Sequence, residues 1–138
     1  VSNILQTQTT SFKTELYTGV HNLATNTLKI ALYTANADLN EATTVYTTSG
    51  EVTGGGYVAG GVTLTGVTIS SSGYTAYVDF ADVAFNASVT ARCALIYNVT
   101  QGNKSIAVLD FGSDKTSTNF TITMPANTAT AALIRSSN

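Results

Sequence analysis

The sequence predicts an all-β protein: a single-domain β-sandwich or jelly-roll-like fold of about eight strands, with one short helix near its start. Three observations lead there. The 138 residues include 25 threonines and 12 serines but only six basic and eight acidic side chains, while 43% of the chain is hydrophobic. Such a chain has enough apolar mass to fold and draws its solubility from hydroxyls, and Thr and Val are favoured on pleated strands. Apolar residues alternate with a period of two over most of the length. Gly, Asn and Ser divide these runs into short pieces, the spacing of sandwiches and jelly rolls. One domain of this length buries a core without a disulfide or metal, and no repeat or linker marks a second.

Residues 1–10 place Ile4 and Leu5 side by side in a polar run. They read as an extended N-terminal arm, either frayed or ordered on a partner, ahead of the domain at 11–138. Phe12, Leu16, Val20 and Leu23 then recur near the helical period, with Thr10 or Ser11 as the cap, and the helix stops by Asn22–Asn26. Leu28, Ile30 and Leu32 alternate with Lys29, Ala31 and Tyr33, a half-buried strand. A polar loop follows over 35–44, then a short strand over 46–51 and the glycines 54–56, 60 and 61. Val62 and Leu64 alternate up to Gly66, after which Val67 and Ile69 continue on the opposite parity, as at a β-bulge.

A turn over 70–73 leads to a strand over 74–80, with a brief continuation at 83–85. Residues 92–97 are nearly continuous in apolar character and predict a central strand covered on both faces. Gln101-Gly102-Asn103 reads as a hairpin connection into a second such strand over 106–111. Phe120, Ile122 and Met124 alternate until Pro125, and 131–135 closes the chain.

A net charge of −2 with six basic residues argues against nucleic acid as a partner. One cysteine, Cys93, excludes an intrachain disulfide, and with the single His21 it excludes a Cys/His zinc site. No apolar run is long enough for a helical membrane span, and no secretory signal is visible. The glycine cluster lacks the Lys-Ser/Thr and helix of a phosphate loop and is read as bends and close strand contacts. Asp110-Phe111-Gly112 matches a kinase tripeptide by letters only. Asp79, Asp82, Asp110 and Asp114 sit at predicted strand ends without calcium-loop spacing and are read as turn caps, so no cofactor or metal is expected. His21 has no nucleophile placed beside it, Cys93 lies in the most apolar strand, and four glycosylation sequons carry no weight in so Thr-rich a chain. The chain is therefore expected not to be an enzyme. Seven tyrosines leave an interface or a sugar-binding cleft open, with Tyr33 and Tyr77 on the outer parity of their strands.

Taken together, Gly50-Glu51-Val52-Thr53-Gly54-Gly55-Gly56-Tyr57, Ala91-Arg92-Cys93-Ala94-Leu95-Ile96-Tyr97-Asn98, Ile106 to Lys115 and Ala132-Leu133-Ile134-Arg135 resemble small structural proteins of tailed bacteriophages. Capsid cement (decoration) proteins are the best match in size and composition. The resemblance implies a virion component on the outer capsid surface, made in the bacterial host cytoplasm. Its partners would be the major capsid protein and itself, as a homodimer ahead of a homotrimer because two-fold contacts are the commonest closed arrangement. The family brings no catalytic residues. Candidate interface residues are Ile4 and Leu5 on the arm, Phe12, and the tyrosines 33, 46, 57 and 77. The alternative is a tail or head-tail fitting with a carbohydrate-binding role in host attachment.

Overall fold

The most apolar stretches of the chain lie side by side in one sheet. The computed structural model describes residues 4–125, 127, 128 and 130–136. In chain order these form β1 (Thr7–Gln8), α1 (Thr10–Tyr17), β2 (Leu28–Tyr33), β3 (Val62–Thr63), β4 (Thr68–Ser72), β5 (Thr75–Asp79), β6 (Val83–Ala84), β7 (Val89–Asn98), β8 (Lys104–Ser117), β9 (Thr121–Ile122) and β10 (Ile134–Ser136). The protein is mostly β, with one short helix and several antiparallel sheets. The central sheet runs β1-β8-β7-β2-β3, a second runs β10-β5-β4, and β6 pairs with β9.

The β7–β8 hairpin is the spine. Its turn is made by Gly102 and Asn103, both at positive φ (74° and 64°). Leu28, Ile30, Leu32, Ala94, Ile96 and Ile106 point to one side, into a core shared with Val78, Phe80, Phe85, Phe120, Ile122, Ile134 and Phe12 of α1. The alternate residues Ala31, Tyr33, Cys93, Leu95, Tyr97 and Val108 form a second cluster on the opposite face. Its cover is an irregular segment that contributes Ala37, Leu39 and Tyr46, together with Ile4. The polar loop after β2 thus hides its few apolar residues against the sheet. That is why β2 is buried on both faces instead of the expected one. The near-continuous apolar runs of β7 and the first half of β8 are covered on both faces as predicted.

Several expectations need correction. The helix is capped by Thr9, whose hydroxyl accepts the Phe12 N–H at 3.3 Å. It ends at Tyr17, because Gly19 at φ 78° lets Val20 N–H reach Glu15 O and Gly19 N–H reach Leu16 O, a Schellman stop. Val20 and Leu23 therefore lie beyond it. Of the arm read over residues 1–10, residues 1–3 lie outside the described residues and 4–10 lie on their own domain. Thr7 and Gln8 pair with Val108 and Ala107, Leu5 N–H donates to Leu39 O, and Thr9 is fully buried. The open edge of β8 offers this segment a strand to join, a partner that hydropathy alone does not reveal. Gly66 (φ 63°) is a corner between β3 and β4 of different sheets, not a bulge. Residues 46–51 make only the single bridge Tyr33–Glu51. The turn expected over 70–73 shrinks to Gly73-Tyr74, with 70–72 inside β4.

The glycine cluster behaves as close contact. A Cβ on Gly61 (φ 83°) would stand 1.9 Å from Ile30 O, and one on Gly55 2.0 Å from Ser88 O. Gly61→Ala is expected to lower unfolding stability by about 3 kcal/mol, joining left-handed strain to a backbone clash. Gly112→Ala, at φ 82° but in open space, is expected to lose only about 1 kcal/mol. Urea denaturation of both variants checks this; equal losses would show that the close approach contributes nothing.

Candidate functional site

Between β2 and the glycine segment sits a group of polar side chains around one buried carboxylate. Glu51, 8% exposed, accepts the Tyr46 hydroxyl on Oε1 at 2.6 Å. Its Oε2 accepts the Tyr57 hydroxyl at 2.6 Å and the Gly60 N–H at 2.8 Å. The Tyr57 hydroxyl in turn accepts the Leu32 N–H at 3.0 Å. Tyr97 donates to Gly60 O, and Tyr33 donates to Thr47 O at 2.6 Å. Tyr46 stacks on Tyr97 with ring centroids 4.7 Å apart. Both sides of the Gly60 peptide link are thus tied to the sheet, one through Glu51 and the other through Tyr97.

Burial and the adjacent carboxylate both disfavour phenolate here. Burial first, then the Glu51 charge, pushes Tyr97 up to about 12 from the ordinary 10.0. Tyr33, Tyr46 and Tyr57 are raised further, burial again leading; the hydrogen bond to Glu51 comes next for Tyr46 and Tyr57, and the Glu51 charge for Tyr33. The four hydroxyls therefore stay protonated and remain donors across the neutral range.

Most side chains suited to chemistry are engaged within the fold; the exception is Asp79, whose Oδ1 is buried without a hydrogen-bond partner. His21 Nδ1 receives the Asn98 amide Nδ2 at 3.0 Å, and Nε2 lies 2.8 Å from Glu15 Oε1. An amide donor on Nδ1 places the ring proton on Nε2, directed at the carboxylate, so neither nitrogen is left to act as a base. Cys93 is buried against Tyr33, and burial with the Asp110 charge nearby pushes its thiol up to about 12. The four aspartates do not converge. Asp110 pairs with Arg92 Nε at 3.1 Å and takes the Gly112 N–H at 2.8 Å, while Asp82 caps the Met124 N–H at 2.7 Å. Among the described residues no group of three or more His, Cys, Asp or Glu gathers to hold a metal.

The predicted interface residues separate into two sets. Phe12 and Tyr33 are fully buried and present nothing to a partner; the outer parity of Tyr33 proves to be the second core. Ile4 packs partly into that core, and Tyr46 and Tyr57 turn their hydroxyls onto Glu51. Leu5, 47% exposed, and the half-buried Tyr77 remain at the surface. The tyrosines open to solvent are Tyr17 at the end of α1 and Tyr74 at the β4–β5 turn. Four of the seven tyrosines are thus drawn inward, where they cannot rim a sugar cleft. Sequence reasoning missed Glu51 as the node. Its signal was isolation, since it is the sole charged residue between Glu41 and Asp79.

No family model matches the chain, and neither the curated proteins nor the solved structures give a match.

Glu51→Leu is expected to lower stability by about 3 kcal/mol, because three donors lose their acceptor. Glu51→Gln, which keeps one acceptor oxygen, is expected to lose roughly 1 kcal/mol. Chemical denaturation at neutral pH measures both, and no change in Glu51→Leu would remove the cluster as a clamp. A phenol pKa raised on folding stabilises fully below the unfolded value and loses that contribution as pH climbs through the folded one. Stability is therefore expected to be level up to pH 10.0 and to fall toward about 12 as Tyr97 ionises, with tyrosinate absorbance rising in step with unfolding.

Proposed function

We propose that this chain is a non-enzymatic structural protein of a tailed-bacteriophage virion, a cement protein on the outer capsid surface that stabilises contacts between major capsid protein subunits. We also assign its mostly β body to a jelly-roll-like sandwich. The observation that carries the reading is where the family-like strings fall. Two of them are the paired strands β7 and β8, one holds Glu51 with Tyr57, and one leads into β10. The resemblance therefore lies in the framework. The reactive residues His21, Cys93 and Glu51 are absorbed into that framework, as befits a protein whose work is adhesion.

A cement protein acts through many repeated weak contacts, each strengthened because neighbouring contacts hold the molecule in place. The surface that does this here is short of charge and rich in Thr and Ser, with Leu5 exposed beside β1 and Tyr77 half-exposed on β5. Binding through such a surface depends little on electrostatic attraction.

Mixing the protein with purified expanded shells tests the reading. Occupancy is expected near one copy per shell subunit, changing by less than about twofold between low and high salt. Leu5→Ser is expected to reduce occupancy without altering the melting temperature, since that side chain supports no core. A handful of copies per particle would instead indicate a tail or portal fitting. No binding at all would reject the cement role.

A further inference from the structure

Among the described residues the sheet edges are guarded, with one exception. β1, β3, β6 and β9 are two residues long and offer little to pair with. The outward face of β10 carries Arg135, and its carbonyl is already taken by the Gln8 amide at 3.0 Å. On β8 the Asp110 N–H is taken by Gln6 Oε1 at 3.0 Å. Beyond it the register breaks between Cys93–Asp110 and Ala91–Lys115, and Asp114 and Lys115 follow. Side-chain caps, bulges and charges are the usual defences of an open edge. β4 has none of them. Its sequence Thr68-Ile69-Ser70-Ser71-Ser72 carries no charge and no proline, and it pairs regularly with β5 from Thr68–Asp79 to Ser72–Thr75.

The direction of its backbone groups follows from the turn. Gly73, at φ 58°, and Tyr74 form a two-residue connection, so the closing pair Ser72–Thr75 is hydrogen-bonded. Alternation then commits Ser70 and Thr68 to β5 and turns the N–H and C=O of Ile69 and Ser71 outward. The capped Arg135 carbonyl on the far edge of the same sheet agrees with this alternation, because Arg135 faces Tyr77 and Tyr77 faces Ser70. Among the described residues nothing pairs with the outer side of β4.

We propose that this edge binds a second copy of the same chain, β4 against β4 in antiparallel register about a two-fold axis at Ser70. Ile69 of one copy then exchanges both backbone hydrogen bonds with Ser71 of the other, twice over, and joins two three-stranded sheets into one of six. The occupant is argued from charge and symmetry. On the two-fold axis Ser70 meets the Ser70 of the other copy, so a charge at that position would repel itself. An uncharged, small-residue strand is suited to that position, whereas a foreign strand would find no side-chain feature to select it. Ile69, 53% exposed, would lie beside the Ser71 of the other copy instead of in water. Pairing of the β body stands by itself; its use in bridging neighbouring shell subunits rests on the cement reading.

Sedimentation of the full chain is expected to show twice the 14.3 kDa mass. Ser71→Pro removes an outward N–H that β5 does not use and is expected to weaken self-association by about tenfold or more. Ser70→Cys tests the register without weakening the strand. At a non-hydrogen-bonded antiparallel pair the Cα atoms stand about 4.5 Å apart, within disulfide reach. Mild oxidation is therefore expected to link Ser70→Cys chains, while Thr68→Cys and Ser72→Cys, displaced along the strand from their own copies, stay unlinked; Cys93 is buried and does not compete. A monomer at high concentration, or linking that ignores position, overturns the proposal. So does a monomer whose shell binding is lost in Ser71→Pro, which would give the edge to a shell strand. A dimer that fails to bind shells retains the pairing and rejects the cement reading; a monomer that binds them does the reverse.

Discussion

The Glu51 carboxylate is the constraint on which the upper part of the structure depends. The chain from Val52 to Gly61 has five glycines at positive φ, and its apolar hold is confined to the buried Val52 and to Tyr57 packed on the core, so the glycine stretch needs a further tie to the sheet. Glu51 supplies that tie by accepting from Tyr46, Tyr57 and Gly60 together. All three donors are neutral. A carboxylate in this setting is stabilised by convergent dipoles instead of an opposite charge, an arrangement that works only while every donor stays aimed. The raised phenol pKa values express the same fact from the tyrosine side, since phenolates could not donate.

This clamp also completes β2. That strand pairs with β7 along one edge, but β3 covers only Lys29 and Ile30 on the other. Further along, the Leu32 N–H goes to the Tyr57 hydroxyl, Leu32 O receives the Val52 N–H, and Thr34 N–H donates to Gly50 O. A side-chain hydroxyl and a bent segment thus do what a longer edge strand does elsewhere. Gly61 must approach Ile30 closely for this to happen, which couples the glycine positions to the tyrosine positions.

What the sequence made legible follows from how local each signal is. The period of two found β2, and the nearly continuous apolar runs over 92–97 and 106–111 found the strands of the central hairpin and correctly implied cover on both faces, because burial demands apolar residues wherever it occurs. What provides that cover was not legible. Ala37 and Leu39 stand alone among polar neighbours, and only their docking on Val108 and Tyr33 makes them core. The parity that placed Tyr33 outside failed for the same reason: alternation distinguishes two faces but does not say that one of them is wet. Thr9 and the segment after Ile4 were misread because β1 is stabilised by the edge of β8, a hundred residues away. Glu51 was visible as an isolated charge, but its three donors are brought to it by loop geometry that no period encodes.

The shortage of charge has a consistent structural answer, and that answer explains why one edge stands out. Where other proteins place lysines or ion pairs, this chain uses amides and hydroxyls. Gln6 and Gln8 cap edge backbone groups, and Asn119 caps the Asn86 N–H. Asn98 joins His21 to Asn26, while Thr90 and Thr116 bond across β7 and β8. Such caps neutralise a backbone group one at a time and create no long-range repulsion, so they protect only where an amide happens to reach. A chain with ten or twenty more charges would keep like copies apart by its field alone. This one must cap each edge individually, and the five residues of β4 are where no cap is supplied. The same economy of charge that lets a surface lie against identical neighbours without repulsion therefore leaves, at β4, the strand best suited to meet itself.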